Sequence, residues 1–220
     1  MISKLPRWVE YGSFILAFVA GFINSIGLLS FNHQSISHLS GTATLLGTGA
    51  LNSSLSDTIH LVIVLLSFLV GSAISGFFLN SSALKLGRNY SRLLVLEAIF
   101  IFVSIYFLSS GSFLGHYLAS AACGLQNALV TTYSGAVVRT THITGIFTDL
   151  GIMLGSKLRG ETFDKRKAVL FLLIILGFIM GGVLGAYCFS SLKFNALLIP
   201  AIICLLLALF YSIYSAKVSS

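Results

Sequence analysis

The stretch THITGIFTDLG, residues 141–151, restates SHLSGTATLLG, residues 37–47, at an offset of 104. Five of the eleven positions are identical, and three more exchange like for like (Ser37/Thr141, Leu39/Ile143 and Ser40/Thr144). A mostly polar phrase that occurs twice in an apolar chain divides it into two halves. Each half reads as a long apolar run, the phrase, a short apolar run and two further long ones. The long runs lie near residues 11–31, 58–80, 92–110, 113–133, 168–189 and 195–215, and the short ones near 41–52 and 145–156.

Composition identifies the solvent. Of 220 residues 56% are apolar and 9% charged, and the mean hydropathy is +0.98. Runs of about 20 residues match the ~30 Å hydrocarbon thickness of a bilayer. They show no period-2 alternation, so their backbone groups are satisfied as helices rather than as a barrel. The expectation is one all-α integral membrane domain over 1–220, with the lipid bilayer as its first partner. The net charge of +7 fits basic cytoplasmic loops and excludes nucleic acid as a partner. Cys123, Cys188 and Cys204 fall in apolar runs without motif spacing, which argues against disulfides and zinc. The first run, preceded by Lys4 and Arg7, is too long for a signal-peptide core and reads as a retained span.

The basic residues choose a topology. With a cytoplasmic N-terminus and re-entrant short helices, Lys4, Arg7, Lys85, Arg88, Arg92, Arg139, Lys157, Arg159, Lys165, Arg166, Lys167 and Lys217 lie inside, and Lys193 outside. Counting the short helices as full spans moves four of these out, which the positive-inside rule disfavours. The sequence therefore predicts six transmembrane helices plus two re-entrant helices. GFIN (21–24) and GLQN (124–127), at an offset of 103, mark the equivalent first spans of halves 8–110 and 111–216. These halves run in opposite directions, an inverted-topology repeat common in transporters. Stripes at Gly177, Gly181 and Gly185, and at Ser67, Gly71 and Ser75, predict close helix packing.

Within each phrase, Ser40 and Thr144 are placed to cap the short helices, and Gly41 and Gly145 to admit close backbone approach. Ser40, Thr44 and Gly47, with Thr144, Thr148 and Gly151, form a small, partly hydroxylated face suited to a polar path. The competing reading is that these hydroxyls bond back to helix carbonyls. The positive dipole ends of both helices would face mid-membrane and favour an anionic or polar solute. His38 and His142 either meet near a two-fold axis or cap their own loops. Asn24 and Asn127 are expected to bond across the bundle or to the opposing loop. Glu97 and Asp149 are acids in apolar context and proton-coupling candidates. Arg139 is a possible ion-pair partner of Asp149, and Pro200 a kink in the last span. Neither acid has a counterpart: Leu45 matches Asp149, and Pro200 falls near the Glu97 position. No cofactor or metal is expected.

GLQNALV (124–130), VRTTHITG (138–145) and TDLG (148–151), together with the first-half phrase, resemble the YoaK family of bacterial membrane proteins, over nearly the whole chain. The resemblance implies a six-span protein of the bacterial inner membrane, with both termini cytoplasmic by the charge count. It brings no substrate and no catalytic residues. Family members often carry Asp at the position of Asn24 and Asn at that of Ala43. The reading is a small-solute permease or channel-like protein, not an enzyme, with proton coupling open to Glu97 and Asp149 and a homodimer suspected. Its rivals are a non-transporting scaffold or regulatory protein and, less favoured, a membrane-embedded enzyme.

Overall fold

The computed structural model describes residues 6, 8–31, 33, 35–49, 54–79 and 89–218, with side chains to residue 215. Lys4, Arg7, Lys85, Arg88 and the side chain of Lys217, all used in the charge count, lie outside the described residues. The chain is helical throughout the described elements: α1 (Trp8–Leu29), α2 (Leu39–Gly49), α3 (Leu55–Phe78), α4 (Asn89–Ser109), α5 (Leu114–Ser134), α6 (Ile143–Leu158), α7 (Lys165–Leu192) and α8 (Leu198–Val218). A short 3₁₀ turn, Lys193–Leu197, joins α7 to α8.

Among the described residues, four stretches are long and apolar enough to cross a membrane: α1, α3, α4, and the continuous Lys165–Ser215 that holds α7 and α8. The 21 residues of α5 would also reach across, at 1.5 Å per residue. Its sequence is diluted by Ala, Gly and Ser and carries His116, Gln126 and Asn127. The reason is its position. Helices α3 and α4 both pack along α5, so it needs little lipid-facing apolar surface.

Small residues determine how the helices pair. On α7, a Cβ at Gly181 would overlap the Phe18 carbonyl of α1, one at Gly177 would crowd Phe14, and one at Gly185 would meet Phe22 and Ser25. On α1 itself, Gly21 lies against the Phe178 carbonyl. The seam between α3 and α5 repeats these contacts: Gly71 lies on Ala121, and Gly124 on Phe68. Adding 103 to each α5-type position in α1, and 110 to each α3 position, turns one set of partners into the other. The Ser120 hydroxyl donates to Val64 O at 3.0 Å across that second seam. Without hydrophobic drive between helices in lipid, such close backbone contact is what holds spans together.

α4 and α8 face each other across the middle. Buried Tyr90, Leu93, Leu94, Glu97 and Ile101 on α4 have the spacing of buried Leu197, at the end of the 3₁₀ turn, and Pro200, Ala201, Cys204 and Ala208 on α8. In this register the counterpart of Glu97 is Cys204, not Pro200. Pro200 produces no kink, because α8 begins at Leu198 and a proline is tolerated in a first turn.

Candidate functional site

Each phrase is tied to the bundle by one buried amide. Asn24, on the buried face of α1 near its C-terminal end, accepts at Oδ1 from Ser35 Oγ (2.7 Å), Ser37 N (3.1 Å) and Ser37 Oγ (3.0 Å). One oxygen thus gathers three donors and sets where the chain turns into α2. In the other half the anchor is Gln126. Its Nε2 donates to Thr140 Oγ1 (3.1 Å) and, across the bundle, to Leu16 O on α1 (2.9 Å). Asn127, the position equivalent to Asn24, does not hold the loop: its Oδ1 is shielded and has no hydrogen-bond partner among the described residues. Asn24 therefore binds its own loop rather than the opposing one, and the second anchor lies one residue before the expected position.

The structure bears on three readings of the phrases themselves. α2 starts at Leu39 and α6 at Ile143, so Ser40 and Thr144 sit inside the first turn and do not cap. The cap positions belong to the histidines. His38 O accepts from Gly41 N and Thr42 N, and His142 O from Ile146 N. The His142 ring occupies the space beside Gly145 where a Cβ would be, which is why glycine stands there. The His142 ring thus keeps to its own loop.

Second, of the two readings of the hydroxyls, the one seen is bonding back to helix carbonyls. Thr44 Oγ1 donates to Ser40 O at 2.8 Å and Thr148 Oγ1 to Thr144 O at 3.0 Å. Ser40, Gly41, Thr44, Thr144 and Thr148 are exposed, on the outside of the bundle. Third, Arg139 and Asp149 do not pair. The ion pairs among the described residues are Arg159–Glu161 and Arg166–Glu10, both 2.8 Å. Arg139 is exposed and Asp149 half-buried.

The polar groups inside the bundle lie elsewhere. Glu97 on α4 is fully buried, at 0% exposure, with Cys204 of α8 and Cys123 of α5 about it. Neither carboxyl oxygen has an aligned hydrogen-bond partner among the described residues. An ionised carboxylate there would lack any compensating charge, a cost of several kcal/mol or more. The sequence pointed to Glu97 but read both cysteines as inert filling. Spacing along one chain could not show that they converge on it.

A second cluster lies where α1 ends and α3 and α5 begin. His116 and Ser30 are buried and joined at 2.8 Å, and Ser30 Oγ donates to Gly27 O. His116 Nε2 is therefore the donor to Ser30, which leaves Nδ1 shielded without a partner. The His60 ring stands edge-on to it at 5.7 Å, with Nδ1 3.0 Å from Tyr117 OH. At 3% and 1% exposure, His60 and His116 are interior. Among the described residues no three His, Cys, Asp or Glu side chains gather to hold a metal.

Set against known protein families, residues 12–210 match the model of a protein of unknown function, DUF1275. The chain belongs to this family. No curated protein and no solved structure matches it. The DUF1275 family assigns no residue a role, so its chemistry in this chain has to be read from the groups just described. Of these, Glu97 has the highest cost of burial.

Proposed function

We propose that this DUF1275 protein is a small-solute permease of the bacterial inner membrane, with proton coupling through Glu97. The observation that carries the reading is a fully buried carboxyl between α4 and α8, with no aligned hydrogen-bond partner among the described residues and the thiols of Cys204 and Cys123 beside it. Buried acids in membrane helices characteristically serve proton or ion movement. In this reading the chain has six spans and two re-entrant helices in inverted halves. The matched seams, at constant offsets of 103 and 110, support that repeat. Arg92, Lys157, Arg159, Lys165, Arg166 and Lys167 belong to the end where α1 begins, and Lys193 to the other, which supports cytoplasmic termini.

The exposed faces of α2 and α6 modify the expected path. Ser40, Thr44 and Gly47, with Thr144, Thr148 and Gly151, face outward, so a path along them requires a second copy of the chain. The proposal therefore includes a homodimer, with an anionic or polar solute favoured by the helix N-termini. The test is uptake of labelled acetate, phosphate and glycerol into proteoliposomes, with and without an inward proton gradient. Gradient-driven uptake of at least one, reduced to the background of empty vesicles in folded Glu97→Gln protein, is expected. Gradient-driven uptake that survives Glu97→Gln would overturn the role of Glu97, and no uptake by the parent chain would overturn the permease.

A further inference from the structure

A cavity of about 490 Å³ opens between α1 and α8, backed by α4 and α5. That volume falls within the range of small-molecule sites, ~300–1,000 Å³. Its wall is a circuit of rings. Trp8 lies 5.5 Å from Tyr133 and 6.4 Å from Tyr214, and Tyr90 lies 5.7 Å from Tyr133 and 5.9 Å from Tyr211. The Tyr211 hydroxyl is shielded and has no hydrogen-bond partner among the described residues, an orphan polar group on an otherwise apolar lining. Tyr11 and Phe210, 72% and 70% exposed, mark the mouth on the flank of the bundle.

The cavity exists because the bundle is uneven. Helix α4 packs closely along α5, to which a tight turn links it, whereas α8 touches α1 sparsely. The opening therefore faces sideways, where the neighbouring molecule is lipid. Charge at the same end narrows the choice of lipid. Arg166, at the start of α7, bonds Glu10 of α1 at 2.8 Å, which fixes the basic turn Lys165–Lys167 beside the first turns of α1. Lys165 is exposed and Lys167 half-buried, and helices in contact lie about 8–10 Å apart. Trp and Tyr are also the side chains that favour headgroup level.

We propose that this cavity seats one acyl chain of an anionic phospholipid, with its headgroup drawn to the Lys165–Lys167 turn. The assignment does not depend on transport. Its test uses the chain's single tryptophan, which is part of the wall. Full-length protein in mixed micelles is titrated with phosphatidylglycerol or phosphatidylcholine brominated at mid-chain, and quenching of Trp8 is followed. Quenching by the anionic lipid should saturate, be displaced by unbrominated lipid, and be about fivefold tighter than with phosphatidylcholine, the preference that one basic side chain near a charged surface confers.

A Cβ at Gly12 meets nothing nearer than the Trp8 ring at 4.0 Å. The Gly12→Leu side chain therefore has room to fill the cavity, and Leu207→Phe fills it from the α8 wall should the first variant fail to fold. Either should abolish the saturable phase. Quenching that rises linearly with lipid, alike for both headgroups and unchanged in the filled variants, would mean that Trp8 merely faces the bilayer and would overturn the assignment. Saturable quenching of equal strength for both lipids would overturn the anionic headgroup.

Discussion

The two long seams, α1 with α7 and α3 with α5, share a backbone plan but differ in where they place hydroxyls. At Gly185 the space beside α7 holds the Ser25 side chain of α1. At the shared offsets of 103 and 110, the counterparts of Ser25 and Gly185 are Ala128 and Ser75. The hydroxyl has crossed the seam: one side gains a larger residue (Gly185 to Ser75) and the other a smaller one (Ser25 to Ala128). One step along, Ser72 Oγ of α3 donates to Gly124 O at 3.0 Å, whereas its counterpart Gly182 approaches Gly21 O without a donor, a built Cβ lying 3.9 Å away. The lesson is that backbone approach is the constraint, and side-chain polarity moves freely so long as the pair still fits.

The most severe way to break this equivalence is to widen either seam. Gly181→Leu and Gly71→Leu each drive a side chain into a carbonyl of the facing helix, and each should cost about 3 kcal/mol or more. Loss of a monodisperse protein, or a large fall in Tm for both variants, is expected; a seam that tolerates leucine would end the comparison. Next come the loop anchors. Asn24→Ala strands three donors and should cost about 1–3 kcal/mol. Gln126→Ala removes two bonds made by a single donor group and should cost less. Reversible unfolding in mixed micelles measures both.

The expectations from sequence failed in a consistent way. Helix positions were legible to within a few residues, because lipid demands long apolar runs and the chain supplies them. The glycine stripes were legible because a spacing of four lies on one helix face. Asn24 was singled out, but Gln126 was not, because the repeat register pointed to Asn127 and a rotation of one residue is invisible without the neighbouring helix. The Cys204–Glu97–Cys123 grouping and the aromatic cavity each join three or more helices, and the His60–His116 contact joins two. Such groupings depend on how helices are rotated and packed, which hydropathy does not encode. The hydroxyl faces of α2 and α6 were read as path-lining or back-bonded, and they are back-bonded and exposed; a helical period fixes a face without fixing what it meets.

Two smaller tests sharpen the comparison. Gly185→Ser should destabilise by about 1–3 kcal/mol, and Ser25→Ala in the same chain should return part of that. The double-mutant cycle should give a coupling near 1 kcal/mol in magnitude. A coupling of zero would mean that the exchange across the seam is coincidental. The smallest effect is expected from Gly182→Ser. It should supply the donor that Ser72 supplies in the other half and raise stability by roughly 0.5–1 kcal/mol, read as a small rise in Tm. A fall would show that the two seams are not interchangeable at that step.

The pairing of α1 with α7 has a further consequence for how the chain is made. Gly21 rests on Phe178, so the partner of the first helix is not synthesised until most of the chain is complete. At ribosomal speeds of about 5–20 residues per second, α1 waits on the order of ten seconds in the bilayer with its glycine face uncovered. Over that interval Asn24 and the hydroxyls of its own loop are the polar contacts available to it. Chains arrested before α7 should therefore expose the glycine face of α1 to the bilayer and be prime targets for membrane quality control.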